Sequence, residues 1–123
     1  MSYRIAGGII FITLADVVTD RELLGKQDEM FNDPKFQGHL PRLVDATDVT
    51  HFLVTATVVR HVARSAYDRG LRKSALVSNG TESVFGMMRM YENYANAAVE
   101  VFKDVPAALA WLTAESAEQW FAE

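Results

Sequence analysis

Short apolar segments rich in β-branched residues alternate along this chain with segments in which apolar residues recur at helical spacing. This alternation is typical of an α/β domain with a largely parallel sheet, because parallel neighbours must be joined by a crossover that is usually a helix. A length of 123 residues is enough for one such domain with its own core. We therefore predict a single α/β domain over residues 1–123, in which residues 113–123 form a C-terminal tail.

Five strands and four helices are predicted, and turn and capping residues mark several of their ends. The predicted strands cover residues 3–6, 9–14, 40–46, 73–78 and 98–102. The predicted helices cover residues 19–31, 55–69, 83–96 and 104–112. Gly7 and Gly8 supply the positive φ angles of a tight hairpin, so a mixed, largely parallel sheet should open with one antiparallel pair. Thr19 or Asp20 is the expected N-cap of the first helix, and Asp104 that of the last.

An excess of acidic side chains argues against a nucleic-acid surface. The chain has 16 acidic and 12 basic residues and a net charge of -4, whereas phosphate binding needs a concentrated positive field. The basic residues that cluster along the second helix and the following strand are Arg60, Arg64, Arg69, Arg72 and Lys73. Solvated charges on one helix face explain this cluster, and no nucleic-acid partner is predicted.

Several chemistries are excluded by residues that the chain lacks. Cysteine is absent, so there is no disulfide framework, thiolate nucleophile or cysteine zinc site, as is usual in a reducing compartment. His39, His51 and His61 show no metal-ligand spacing, and we predict neither a metal nor another cofactor. The longest apolar stretch, residues 5–15, is too short to span a bilayer and lacks the layout of a signal peptide. We expect a soluble, cytoplasmic protein.

Four segments in a fixed order carry a resemblance to a known family. They are DPKF (33–36), LVDATDV (43–49), FGMMRMY (85–91) and VFKDVPAALAWL (101–112). Together they resemble the bacterial SpoIIAA-like family, whose members are related to the STAS domain of anti-anti-sigma factors. The resemblance extends over most of the chain, and it implies a mixed sheet surrounded by helices and no established enzymatic activity.

The chain departs from the anti-anti-sigma relatives just after residues 43–49. Those relatives carry an Asp-Ser-Ser-Gly turn whose serine is phosphorylated at the N-terminus of the next helix. Here the sequence reads THFLVTATVV over residues 50–59, and neither serine nor glycine occurs between Asp45 and Arg64. The phosphorylation switch therefore transfers to no residue of this chain.

The polar segment at the end of the predicted strand 40–46 is the first candidate site. Asp45 and Asp48 lie where open parallel sheets place ligands. Thr50 and His51 follow them in the sequence. Two nearby carboxylates suit acid–base chemistry, but aspartates more commonly accept backbone N–H groups in turns. No Gly-x-Ser-x-Gly nucleophile elbow occurs, so an enzyme that uses Asp45 and His51 is the least favoured interpretation.

The loop before the third helix is the second candidate site. Asn79, Gly80 and Thr81 follow a predicted strand, and N–H groups at the helix start can converge on an anion. Simple helix initiation, with Asn79 and Glu82 or with Thr81 and Ser83 as the capping residues, explains the same segment. Phe85 and Met88 are placed to receive an apolar group. Because parallel strands deliver their loops to one end of the sheet, we expect both candidate segments to form one site for an acidic amphiphile such as a fatty acid.

The third helix has more apolar residues than one stripe needs. Its predicted core face is Val84, Met87, Met88 and Tyr91, whereas Phe85 and Met90 are expected to point elsewhere. Those two side chains fit a neighbouring loop, a subunit contact or an apolar ligand pocket, since methionine adapts to irregular partners.

We therefore predict a non-catalytic binding or regulatory module and leave two functions open. The first is a small-molecule module with an apolar pocket beside the third helix, which binds an apolar or amphipathic ligand. The second is a protein–protein interaction module in a bacterial regulatory pathway, acting through a surface around the second helix. A pocket lined by methionine and aromatic side chains would favour the first, and a flat exposed apolar patch the second.

The missing serine turn predicts that this protein is not controlled by phosphorylation in the anti-anti-sigma manner. Phosphoproteomics of the protein from its host should find no stoichiometric phosphate on Thr50, Thr55 or Thr57. A stoichiometric phosphate on any of these threonines would contradict the prediction.

The apolar content predicts a homodimer. Half of the residues are hydrophobic, and Trp120 and Phe121 lie in the C-terminal tail, where either a second subunit or their own domain can cover them. Burial of both rings contributes on the order of 3 to 6 kcal/mol, which is enough to matter for a weak interface. Light scattering should show a dimer at high micromolar concentration, and a monomer under those conditions would argue against it.

Overall fold

The computed structural model describes residues 1–114 as five strands and four helices. The strands are β1 (Ser2–Ala6), β2 (Ile9–Thr19), β3 (Arg42–Leu53), β4 (Lys73–Val77) and β5 (Ala98–Phe102). The helices are α1 (Asp20–Phe31), α2 (Ala56–Asp68), α3 (Glu82–Tyr94) and α4 (Val105–Thr113). The predicted class and element order are confirmed. Most of the predicted tail, including Trp120 and Phe121, lies outside the described residues.

The sheet has the strand order β1-β2-β3-β4-β5 and is parallel except at its first pair. Gly7 and Gly8 have φ angles of 59° and 76°, and Ala6 pairs with Ile9, so two left-handed residues close the hairpin as predicted. Each later strand follows a helix that crosses over to the next position in the sheet. The strands therefore lie side by side in the sheet in the same order as in the chain.

Two strands are longer than predicted. The strand expected to end near Asp45 continues to Leu53, and β2 continues past Leu14 to Thr19. The two extensions pair with each other, and β3 carries an extra residue at each of two register shifts. Because of these bulges the core-facing residues Ala46, Val49 and Phe52 are three positions apart, which hides the two-residue period of a strand.

Two apolar layers cover the two faces of the sheet. One core packs the sheet against α1, α2 and α3, with Met30, Val59 and Met88 as representatives of the three helices. The other packs Leu43 of β3 and Ala75 and Val77 of β4 against Ala108 and Leu112 of α4. Successive strand residues alternate between these layers, as a pleated sheet requires.

The helix starts are fixed by side-chain caps, as the sequence predicts for α1 and α4. The capping oxygens belong to Thr19, Thr55, Thr81 and Asp104, and each accepts a hydrogen bond from the backbone N–H three residues later. Asp20 adds a connection between two helices. Its carboxylate accepts from the backbone N–H of Thr55 at 2.7 Å and from the hydroxyl of Thr55 at 3.0 Å.

Several basic side chains lie over aromatic rings of neighbouring elements. Arg60 stands 4.8 Å from the ring centroid of Tyr94 and so connects α2 with α3. The ammonium group of Lys73 stands 4.7 Å from a ring centroid of Trp111 and donates to that residue's carbonyl oxygen at 3.1 Å. These cation–π contacts give part of the predicted basic cluster a structural role.

Gly38 and Gly70 lie where two backbone segments touch. A Cβ atom on Gly38 would stand 2.1 Å from the carbonyl oxygen of Arg69, and Gly70 itself has a φ angle of 97°. The loop between α1 and β3 is thereby pressed against the end of α2, and there is no room for a side chain at Gly38.

The close approach predicts that Gly38→Ala lowers the free energy of unfolding by about 1 to 3 kcal/mol, because backbone atoms must move to admit the methyl group. Gly25→Ala is the matched control, since a Cβ there meets nothing within 4 Å and alanine favours the interior of α1 by about 0.5 to 1 kcal/mol. Urea unfolding of both variants measures the difference. Equal stability of Gly38→Ala and the wild type would show that the two segments do not touch.

Candidate functional site

An apolar cavity of about 80 Å³ lies between the sheet and the helices α1, α2 and α3. Aliphatic residues of β2, β3 and β4 form its floor, including Ile12, Val44 and Leu76. Residues of the three helices form its cover, and α3 contributes Met87, Met88 and Tyr91. The pocket therefore has the methionine and aromatic lining that the sequence associates with a small-molecule module.

The size and polarity of this cavity favour an organic occupant over water. About 10 to 15 Å³ of such space holds one water molecule, and a water molecule needs two to four polar partners. Nearly all of the wall is apolar. The pocket is partly open, so a ligand that fills it would remove the apolar wall from contact with water.

Arg42 is the main polar feature of the wall. It is the first residue of β3 and only 3% exposed. Its Nε donates to Ser74 Oγ at 3.3 Å, and its Nη2 donates to the hydroxyl of Tyr91. The guanidinium carbon stands 5.4 Å from the ring centroid of Tyr91. A buried cation thus faces an apolar cavity with neutral hydroxyl groups as its hydrogen-bond partners.

Arg42 has no acidic partner within residues 1–114. The ion pairs there join the Met1 amino group to Glu22, Lys26 to Glu29 and Arg89 to Glu92. Burying a charge without a counter-ion is costly, because neutral hydrogen-bond partners replace only part of its hydration. The site therefore holds a positive charge that no acidic side chain of residues 1–114 balances.

The other polar groups of the wall have protein partners. The amide nitrogen of Gln27 donates to the carbonyl oxygen of Val62 at 3.3 Å. The hydroxyl of Tyr3 donates to Asp33 Oδ2 at 2.8 Å, and this bond with the Asp33 carboxylate raises the pKa of Tyr3 to about 12. Tyr3 is therefore a neutral hydroxyl throughout the physiological pH range.

The predicted loop site lies at the start of α3, and its polar groups serve the backbone. Asn79 Nδ2 donates to the carbonyl oxygen of Val49 at 2.9 Å, so the loop does lie against β3. Asn79 Oδ1 accepts from the N–H of Thr81 at 2.9 Å and from its hydroxyl at 2.7 Å. Thr81 caps α3, and Gly80 provides a φ angle of 85°. The interpretation of these residues as helix initiation is confirmed.

The first predicted segment belongs to β3 and does not follow its end. Asp45 Oδ1 accepts from the N–H of Thr47 at 3.0 Å, which confirms a local backbone role at the first bulge. Asp48, Thr50 and His51 are exposed on the extended part of the strand. The hydrogen bond from Asn79 to β3 brings the two predicted segments together, and a ligand site shared by them stays a prediction.

The predicted apolar residues of α3 divide between two environments. Met88 is buried and lines the cavity, whereas Phe85 is 43% exposed and lies outside its wall. Arg89 covers the ring of Phe85, with its guanidinium carbon 5.1 Å from the ring centroid. The expectation that Met90 points away from the core is wrong, because Met90 packs against the same core as Met87.

Sequence reasoning missed Arg42, although a signal was present. The segment LPRLVDA places one arginine between Pro41 and the apolar residues Leu43 and Val44 of a predicted strand. Charged residues are almost never fully buried unless they are paired, so an arginine in a core strand indicates a partner that the sequence does not show.

The described part of the chain contains neither a membrane-spanning helix nor a cluster of metal ligands. No helix within residues 1–114 is long and apolar enough to cross a membrane. The same residues contain no group of three or more histidine or acidic side chains placed to hold a metal ion.

Solved structures with this fold include two proteins of different length. One is an uncharacterised protein of the DUF3478 family with a SpoIIAA-like fold from Shewanella loihica PV-4, with a TM-score of 0.58 and 12% sequence identity over 90% of each chain. The other is SLC26A9, with a TM-score of 0.54 and 17% identity, where the match covers 91% of this chain and 21% of that one. This chain therefore has a SpoIIAA-like fold, as the resemblance implies.

Sequence comparison adds no closer relationship. No protein-family model and no curated protein sequence matches the chain. At 12% and 17% identity the two structural matches define the architecture, and the function must be argued from this chain's own residues.

Proposed function

We propose that this protein is a non-catalytic module that binds a small, largely apolar ligand in the cavity beneath α1, α2 and α3. The observation that carries the proposal is the apolar cavity of about 80 Å³ in the larger of the two cores. Protein interiors are packed as closely as organic crystals, and an apolar pocket with a few polar groups in its wall is an expected place for a small ligand.

The wall also suits an adaptable binding site. Methionine side chains have three rotatable bonds and a polarizable sulfur, so Met87 and Met88 can follow the outline of different ligands. The hydroxyl of Tyr3 and the amide of Gln27 are used in bonds to the protein, which leaves few groups for acid–base chemistry. This arrangement supports binding over catalysis as the role of the site.

A protein–protein interaction module is the second candidate. Val17 is 43% exposed and Leu53 is 61% exposed, and both lie where β2 and β3 extend beyond the other strands. Two exposed aliphatic residues on a strand pair are a small apolar patch compared with the wall of the cavity. The cavity therefore carries the first proposal.

The proposal predicts saturable binding of six-carbon probes inside the cavity. Titration with 1-hexanol and with hexanoate, followed by amide NMR, should shift the signals of residues around Leu76 and Met88 for at least one probe. A ligand at about 100 times its Kd should also stabilise the fold by about 2.7 kcal/mol in thermal unfolding.

Two variants locate the binding. Val59→Phe places a ring in the cavity and should abolish the shifts, whereas Phe85→Ala changes an exposed residue outside the wall and should preserve them. Thermal unfolding of Val59→Phe checks that the variant remains folded. Shifts confined to residues 78–83 and 45–51 would support the shared loop site in place of the cavity, and shifts absent for both probes would reject both.

A further inference from the structure

We propose that the ligand is a monocarboxylate with a short apolar chain, and that the guanidinium of Arg42 pairs with its carboxylate. This inference rests on the proposed function and adds the chemical class of the ligand. It starts from one observation: a guanidinium that is 3% exposed lines an apolar cavity and has no acidic partner within residues 1–114.

The guanidinium retains hydrogen-bonding capacity. It carries five N–H donors in a rigid fork and cannot lose its charge in a protein. The bonds to Ser74 Oγ and to the Tyr91 hydroxyl use Nε and Nη2. No fully buried side-chain nitrogen or oxygen within residues 1–114 lacks a hydrogen-bond partner, so the remaining nitrogen, Nη1, keeps contact with solvent. An anion in the cavity would replace that solvent contact and would supply the missing counter-charge.

The guanidinium is held in position from two sides, by the sheet and by helix α3. Arg42 and Ser74 are partners across the β3–β4 ladder, so their side chains leave the sheet on the same face. Tyr91 approaches from α3 and holds the guanidinium by a hydrogen bond and by its ring. A cation positioned before the ligand arrives loses little conformational entropy on binding.

The other residues of the wall determine which chemical group can be attached to the carboxylate of the ligand. Its apolar side chains suit a hydrocarbon chain. The other basic residue of the wall, Lys26, has its ammonium group 3.3 Å from Glu29 Oε2. With one unmatched cation beside an apolar space, a single negative charge on an apolar chain is the complementary ligand.

Hexanoate and 1-hexanol form a matched pair that tests the inference on the wild-type protein. They have the same chain length and differ in the charged group. Isothermal titration at pH 7 should give a Kd for hexanoate at least tenfold lower than that for hexanol. The preference should disappear as the pH falls through the pKa of the hexanoate carboxyl group, because the protonated acid no longer pairs with the guanidinium.

Variants distinguish the effect of the Arg42 charge on ligand binding from the effect of side-chain packing. Arg42→Met keeps much of the side-chain volume and removes the charge, so hexanoate should bind at least tenfold more weakly while hexanol binds as well as before or better. Phe85→Ala changes an exposed residue outside the wall, so it is the matched control and should retain the preference for hexanoate. If Arg42→Met fails to fold, Arg42→Lys replaces the five-donor fork with a point charge and should weaken hexanoate binding while hexanol binding stays the same; unchanged hexanoate affinity would contradict the pairing.

The outcomes distinguish this inference from the function on which it rests. Hexanol and hexanoate binding in the cavity with equal affinity would overturn the pairing with Arg42 and leave the small-molecule function intact. Unchanged hexanoate affinity in Arg42→Met would do the same. If neither probe binds the wild type, the proposed function fails, and the carboxylate assignment fails with it.

Discussion

The parallel pairing of β2 with β3 is the constraint on which the rest of the structure depends. It is the longest ladder of the sheet and runs from the pair Ile10–Arg42 to the pair Thr19–Leu53. Its first part forms the floor of the cavity and sets Arg42 beside Ile10. At its far end, β2 leads into α1 and β3 leads into α2, and there the carboxylate of Asp20 accepts hydrogen bonds from Thr55. One pairing therefore positions both the buried cation and two of the helices that cover it.

The sequence predicts those features of the fold that depend on local chemistry. The Gly7-Gly8 hairpin and the caps at Thr19 and Asp104 need only residues within one turn of each other, and all three are confirmed. The length of β3 was not predictable in the same way. Its core-facing residues Ala46 and Val49 are three apart because of bulges, and bulges arise from pairing with β2, which is distant in the sequence.

The site was harder to predict than the fold because a cavity is the space that the packed side chains of several elements leave unfilled. Sequence patterns show which faces are apolar, and Met88 was assigned correctly to the inside of α3. They do not show where the packed volumes of the three helices and the sheet fall short of filling the space. The environment of Arg42 likewise depends on Tyr91, a contact across 49 positions of the chain that no local pattern encodes.

The carboxylate of Asp20 connects the starts of two helices that cover the cavity. It belongs to the first residue of α1, yet it satisfies the backbone N–H of Thr55 at the start of α2. Fraying of α1 at this end therefore removes an acceptor from α2, so the stabilities of the two helix starts are coupled. Hydrogen bonds therefore connect the amino-terminal turns of these helices, although 35 residues separate Asp20 from Thr55 in the chain, and local opening of one turn should weaken the other.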